Sequence, residues 1–174
     1  TSATSTELNK DLHVAHFNAG DLMRDITGQP HEKETGPIQR EIAVDIALDE
    51  KQESIARNST ETGPVILEGR FAGYVAKKAS IINPNLRTFI VLLETSEDEA
   101  ARRKFKQGEN TSLEQTKADQ RERADQEVQK LQEAHPEIGN SNPMDQKAEA
   151  YGHWIYDLII INDGMPVKEV AEVL

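Results

Sequence analysis

Three short apolar runs constrain this chain more than anything else in it. Val65-Ile66-Leu67, then Thr88 to Leu93 (TFIVLL), then Tyr156 to Ile161 (YDLIII) are continuous rather than alternating. Alternation marks a strand with one wet face, whereas an unbroken apolar run marks a strand covered on both, the condition of a parallel sheet between helices. Helical spacing fills the intervals. Ile38, Ile42 and Ile46, with Val44, Leu48 and Ile55, recur at helical intervals and predict a long helix over 37–58 that has Pro37 in its first turn. Thr95 and Ser96 ahead of Glu99 make a capping-box pattern that predicts a helix over 96–106. Thr111 ahead of Glu114 repeats the signature and opens a helix to about Ala134. The piece HVAHF, His13 to Phe17, predicts a further strand after a helix over 4–12.

The order helix, strand, helices, strand, helix, strand, helix, helix, strand, helix implies an α/β fold in three layers. A parallel sheet is wrapped by helices, and ligands sit at the carboxyl ends of the strands. At 174 residues the expectation is one domain over 1–174. A doubly wound sheet usually places a strand and a turn before its first helix. None precedes this one.

Charge narrows the partners. Thirty-one Asp and Glu against twenty Lys and Arg give a net charge of −11, which repels long nucleic acids. Small phosphorylated ligands stay open, because a few converging arginines create a positive pocket on an acidic protein. The chain has no cysteine, hence neither disulfides nor thiolate metal sites, which suits a reducing cytosol and makes the cytoplasm the expected location. Its longest apolar stretch, 154–161, is too short to cross a bilayer, and the polar start at 1–9 has no signal-peptide core. A soluble protein without a membrane partner is expected. The histidines at 13, 16, 31, 135 and 153 show no metal spacing, so no protein metal site is expected. Trp154 and Tyr156 alternate across a strand start and read as packing residues.

The strand ends carry the chemistry. HVAHF runs into Asn18-Ala19-Gly20-Asp21-Leu22-Met23-Arg24, and Val65 to Glu68 runs into Gly69-Arg70-Phe71-Ala72-Gly73. Glycine lets backbone approach a ligand, and a following guanidinium can fork onto phosphate oxygens. Either signal alone also fits a surface arginine paired with a carboxylate.

Taken together these segments resemble the cytidylate kinase family of P-loop nucleoside-monophosphate kinases. HFNAGDLMRD (16–25) is similar to the turn that opens the family's monophosphate-binding segment, here about 20–60. VILEGRFAGY (65–74) resembles the archaeal-type second signature, and Val44 to Asp49 with Gln52 resembles the Ile-Asp-x-x-Ile-Asp helix. TSEDEAARRKFKQ (95–107) resembles the segment entering the mobile lid, about 104–134, and YDLIIIND (156–163) the last core strand. The resemblance implies ATP-dependent phosphorylation of CMP or dCMP, with Mg²⁺ on the donor phosphates. It places Arg24 and Arg70 on the acceptor phosphate, beside Gly20, Asp21 and Gly69, with Asn18, Asp45 and Asp49 near the nucleoside. Arg102 or Arg103, with Arg121 or Arg123, would close over the transferring group. Phosphoryl transfer needs positioning and positive charge more than covalent chemistry, so arginines are the right residues for it.

Plainer readings stand beside these roles. Arg102, Arg103, Lys104 and Lys106 also suit a solvated helix C-terminus. The helix to Ala134 has Leu113, Val128 and Leu131 as its main apolar members and few i to i+4 ion pairs, which fits a mobile cover better than a core helix. Asp45 and Asp49, one turn apart, read as solvated or as hydrogen-bonding a base.

The chain departs from the family at the donor site. The Gly-x-x-x-x-Gly-Lys-Ser/Thr loop that cradles the donor phosphates is not in this sequence, nor is the strand before it. On alignment of the first helix, Thr1 and Ser2 fall near the loop's lysine and hydroxyl positions and become the cofactor-side residues. What is missing amounts to roughly a dozen residues. Either the sequence starts downstream of the natural N-terminus, or a homologue has lost the loop. The intact acceptor motifs favour the first. Asn18 replaces the usual Ser, Glu68 a common Asp, and Lys130 falls where relatives place a second lid arginine. Two other functions stay open: a catalytically inactive binding or scaffold module, and a small-molecule kinase with a hydroxyl acceptor.

Overall fold

The structure, a computed structural model, describes residues 4, 6–7, 12–28, 41–106, 112–139 and 141–174. Its elements are β1 (Ala15–Asn18), α1 (Ala19–Thr27), α2 (Ile42–Thr62), β2 (Val65–Glu68), α3 (Ala72–Ile82), β3 (Val91–Glu94), α4 (Glu97–Lys106), α5 (Leu113–Ala134), a 3-10 turn at Pro136–Ile138, β4 (Glu149–Ala150), β5 (His153–Trp154), β6 (Leu158–Ile161) and α6 (Val167–Val173). The expected α/β order is present, with parallel strands flanked by helices. Thr4, Thr6, Glu7 and Leu12 of the expected first helix are helical.

Strand bounds move for local reasons. His13 sits at φ 53, which no strand tolerates, so β1 starts at Ala15 and runs to Asn18. Asp157 takes both backbone groups of Ile90: its Oδ2 accepts from Ile90 N at 2.7 Å and its own N donates to Ile90 O at 2.8 Å. The ladder therefore begins after Ile90, at Val91, three residues past the expected start at Thr88. Tyr156 leaves the strand and donates its hydroxyl to Pro143 O at 2.5 Å, so β6 starts at Leu158. Helix α2 runs past Asn58 to Gly63, whose φ of 101 ends it, and its proposed proline start lies outside the described residues.

Pairing shows more than periodicity could. β1 and β2 are parallel, with Asn18 opposite Glu68, and β3 and β6 are parallel, with Glu94 opposite Ile161. Among the described residues these pairs are not bonded to each other, so the expected single sheet is present as two halves. Helix α3 spans them. Its Tyr74 and Val75 pack with Ile90, Ala148, Ala150 and Ile155, while its Ala79 packs with Ala56, Leu86 and Leu67. The close fit explains Gly73, where a Cβ would stand 3.0 Å from Ile90 Cγ2.

Two expectations are corrected. Coverage on both faces fails for β6, whose Ile159 and Ile161 are exposed. Trp154 is 58 % exposed and belongs to a separate antiparallel ribbon, β4 with β5, so only Tyr156 of the two aromatics packs inward. No helix among the described residues is long and apolar enough to cross a membrane.

Candidate functional site

The carboxyl ends of β1 and β2 meet where Asn18 faces Glu68. Asn18 caps α1: its Oδ1 accepts from Gly20 N at 2.8 Å, the bond a serine would make, so the departure from Ser keeps the turn. Glu68 reaches His16 Nε2 at 3.1 Å. Gly69 continues β2 with no room for a side chain, because a Cβ would lie 2.8 Å from Ala19 Cβ and 3.1 Å from Gln52 Nε2. The Gly69 turn packs directly against the Ala19 side chain at the start of α1. Gln52 is 1 % exposed, and its Nε2 has no hydrogen-bond partner among the described residues. In the first turns of α1, Asp21 and Arg24 form an ion pair with each other.

From the Gly69 turn Arg70 reaches over to α5. There it pairs with Glu127, which also holds Arg123 Nε at 3.2 Å. Glu127 is 2 % exposed, so both guanidiniums meet at one buried carboxylate. Asp45, Leu48 and Asp49 of α2 line a small cavity with Phe71, Glu127 and Lys130. Arg123, Glu127 and Lys130 stand three to four residues apart and so share a helix face.

Asp49 is not solvated. It is 6 % exposed and bonded to His135 Nε2 at 2.7 Å. Beyond the histidine, Nδ1 lies 3.4 Å from Glu137 Oε1, and that oxygen also accepts from the Tyr74 hydroxyl at 3.0 Å. The hydrogen bond to Asp49 raises the His135 pKa against the opposing effect of burial. Burial pushes Glu137 the other way, yet its own backbone, the Tyr74 hydroxyl and His135 bring its carboxyl below the usual range. Tyr74 is raised, by burial first and then by hydrogen bonds to Tyr151 and Glu137. The network ties α2, α3 and the end of α5 together, and α5 lies packed with Thr116, Glu127 and Leu131 buried.

The remaining arginines gather elsewhere. Arg103 donates through Nε to Glu99 Oε1 and through a terminal nitrogen to Asn162 O, both at 2.9 Å. Arg102 lies 3.9 Å from Glu99, and Arg121 donates to Glu97 Oε2 at 2.9 Å. The Arg121 bond to Glu97, with Lys117 bonded to Asp98 at 2.6 Å, holds α5 on α4. Asp163, after β6, accepts from Ser96 N at 2.8 Å and completes the capping box that Glu99 was expected to close. Those bonds to Ser96, with Arg103 and Arg102 nearby, lower the Asp163 pKa.

The structure therefore divides the expected arginines. Arg123 comes together with Arg70, whereas Arg121, two residues away, leaves the opposite side of α5 and joins Arg102 and Arg103. Arg24 meets neither group in any described ion pair. The expected cap at Thr111 is corrected to Ser112, whose Oγ accepts from Gln115 N at 3.1 Å; Thr111 itself lies outside the described residues, as do Thr1 and Ser2. Sequence reasoning missed Glu127 and the His135 network. The Arg123-to-Glu127 spacing of four residues was the one available signal.

A family model described as an AAA domain matches residues 1–132. No curated protein matches the chain.

Proposed function

The chain belongs to the AAA domain family, a P-loop kinase-like family that includes nucleoside-monophosphate kinases, and on that premise we propose that it phosphorylates CMP or dCMP with ATP and Mg²⁺. One observation carries the acceptor side of this reading. Arg70, on the glycine turn after β2, and Arg123, on the helix covering it, converge on a single anionic point beside Asp45. Two guanidiniums there suit a phosphate, which they grip through paired N–H groups. An aspartate beside them suits cytosine, because a carboxylate accepts from its exocyclic amine and repels the carbonyl that uracil has in that place. The acceptor would lie between the Gly69 turn and α5, with Asn18 and Gly20 holding the neighbouring turn. Arg102 and Arg103 of α4, and Arg121 from the side of α5 that meets it, would have to come across to act on the transferring group.

The donor side rests on family membership. ATP would supply the phosphoryl group, and Mg²⁺ would neutralise its oxygens. Among the described residues no cluster of His, Asp or Glu is arranged to hold a metal ion, and this sequence contains no glycine loop for donor phosphates. A second reading, a nucleotide-binding module without turnover, draws support from the pairing of every candidate arginine with a carboxylate.

A coupled assay of the full natural gene product with CMP, dCMP, UMP and AMP decides between them. Turnover with the cytidine acceptors, abolished in Arg70→Ala, supports the kinase. Binding of CMP with no turnover of any monophosphate would sink it in favour of the module.

A further inference from the structure

We propose that Glu127 is a stand-in anion, occupying the place of the acceptor phosphate until the nucleotide arrives and then giving up Arg70 and Arg123 to it. The inference rests on the acceptor reading above and adds to it a residue that regulates the same site. Glu127 is the carboxylate that both arginines touch, one from the β2–α3 turn and one from α5. Its side chain is 3 % exposed, whereas that of Arg70 is 53 % exposed, so a ligand reaches the guanidinium without first displacing the acid from solvent. A carboxylate buried to this degree is costly when it loses its cations. Lys130 lies one helical turn along the same face and lines the same cavity, so it is placed to take over the charge. The exchange makes phosphate binding and the seating of α5 a single event: the Arg70 pair with Glu127 that is given up is the one that joins the glycine turn to the helix, whereas Arg123 and Glu127 both belong to α5.

The arrangement has a consequence that a structural ion pair lacks. Neutralising Glu127 removes a competitor for the arginines, so affinity for phosphate should rise. A residue needed only for packing would lower affinity or leave it unchanged. A hydrogen bond to a charged group contributes about 1.5–3 kcal/mol, so release of the competitor should tighten binding by roughly tenfold or more.

The test is isothermal titration of the full chain with CMP and, separately, with inorganic phosphate. It compares the natural protein with Glu127→Gln, with Glu127→Asp as a second variant that keeps the charge on a shorter arm. Tightening by about tenfold in Glu127→Gln, abolished when Arg70→Ala is added, supports the stand-in. If Glu127→Gln does not fold, Glu127→Asp should still bind phosphate a few-fold more tightly, because its grip on the two arginines is weaker. CMP binding that is unchanged or weaker in the folded variants overturns the stand-in and leaves the kinase reading standing. Tighter inorganic phosphate with no CMP binding in any protein supports the stand-in and overturns the nucleotide reading.

Discussion

Asp49→Asn keeps the shape of the side chain and removes the charge that holds His135. Both residues are buried, Asp49 at 6 % exposure and His135 at 8 %, and they are 2.7 Å apart, so the bond is poorly screened by water. Its hydrogen bond raises the histidine above its ordinary value of 6.5. A group whose pKa is higher in the folded state contributes stability fully below its unfolded pKa. That contribution disappears as pH rises through the folded value. The pair should therefore be strongest near pH 6 and weaker at pH 8.5, beyond the unfolded value and toward or past the raised folded one. A charge-assisted bond contributes about 1.5–3 kcal/mol and a neutral one about 1 kcal/mol, so the loss in Asp49→Asn should be roughly 2–3 kcal/mol at the lower pH and nearer 1 at the higher. In a chain of this size that is a fall in Tm of roughly 4–10 °C near pH 6. Urea unfolding followed by far-UV circular dichroism at the two pH values measures it. An equal loss at both, or a loss below about 0.5 kcal/mol at the lower, would refute the charged pair.

Two further substitutions probe the turns that build the site. Gly69→Ala forces a methyl to within 2.8 Å of Ala19 Cβ, which should cost about 1–3 kcal/mol and weaken CMP binding with it; an unchanged Tm would show that the two strand ends separate freely. Ser112→Ala removes the cap of α5 and should cost about 1 kcal/mol by urea unfolding, whereas no loss would return the helix start to Thr111. Arg70→Ala, expected to abolish turnover, should also destabilise the fold modestly by urea unfolding, because it takes one of two paired guanidiniums from the buried Glu127; full stability would show that Glu127 does not need the pair.

Much of the fold was legible because it depends on near neighbours. Continuous apolar runs marked β2, β3 and β6, and capping patterns marked the starts of α4 and α5 to within a residue. Where these readings slipped, a distant group intervened. Asp157 delayed β3 by bonding Ile90, and Asp163 took the half of the capping box assigned to Glu99. Trp154 was misplaced because two tandem residues of β5 look like the start of β6 until their partners, Glu149 and Ala150, are known.

The site divides along the same line. By itself the sequence determined the glycine turns at Gly20 and Gly69 and the arginines beside them, since a close backbone approach and a guanidinium are local requirements of residue type and order. Only the tertiary structure decided which arginines meet. Arg121 and Arg123 are equivalent as letters, yet their side chains leave opposite sides of α5, one toward Glu97 and one toward Glu127. Asp49 likewise read as solvated or as hydrogen-bonding a base, and only the packed chain brings His135, 86 residues away, onto it. Charge pairing depends on distance and burial, and sequence separation says nothing about either until the chain has packed.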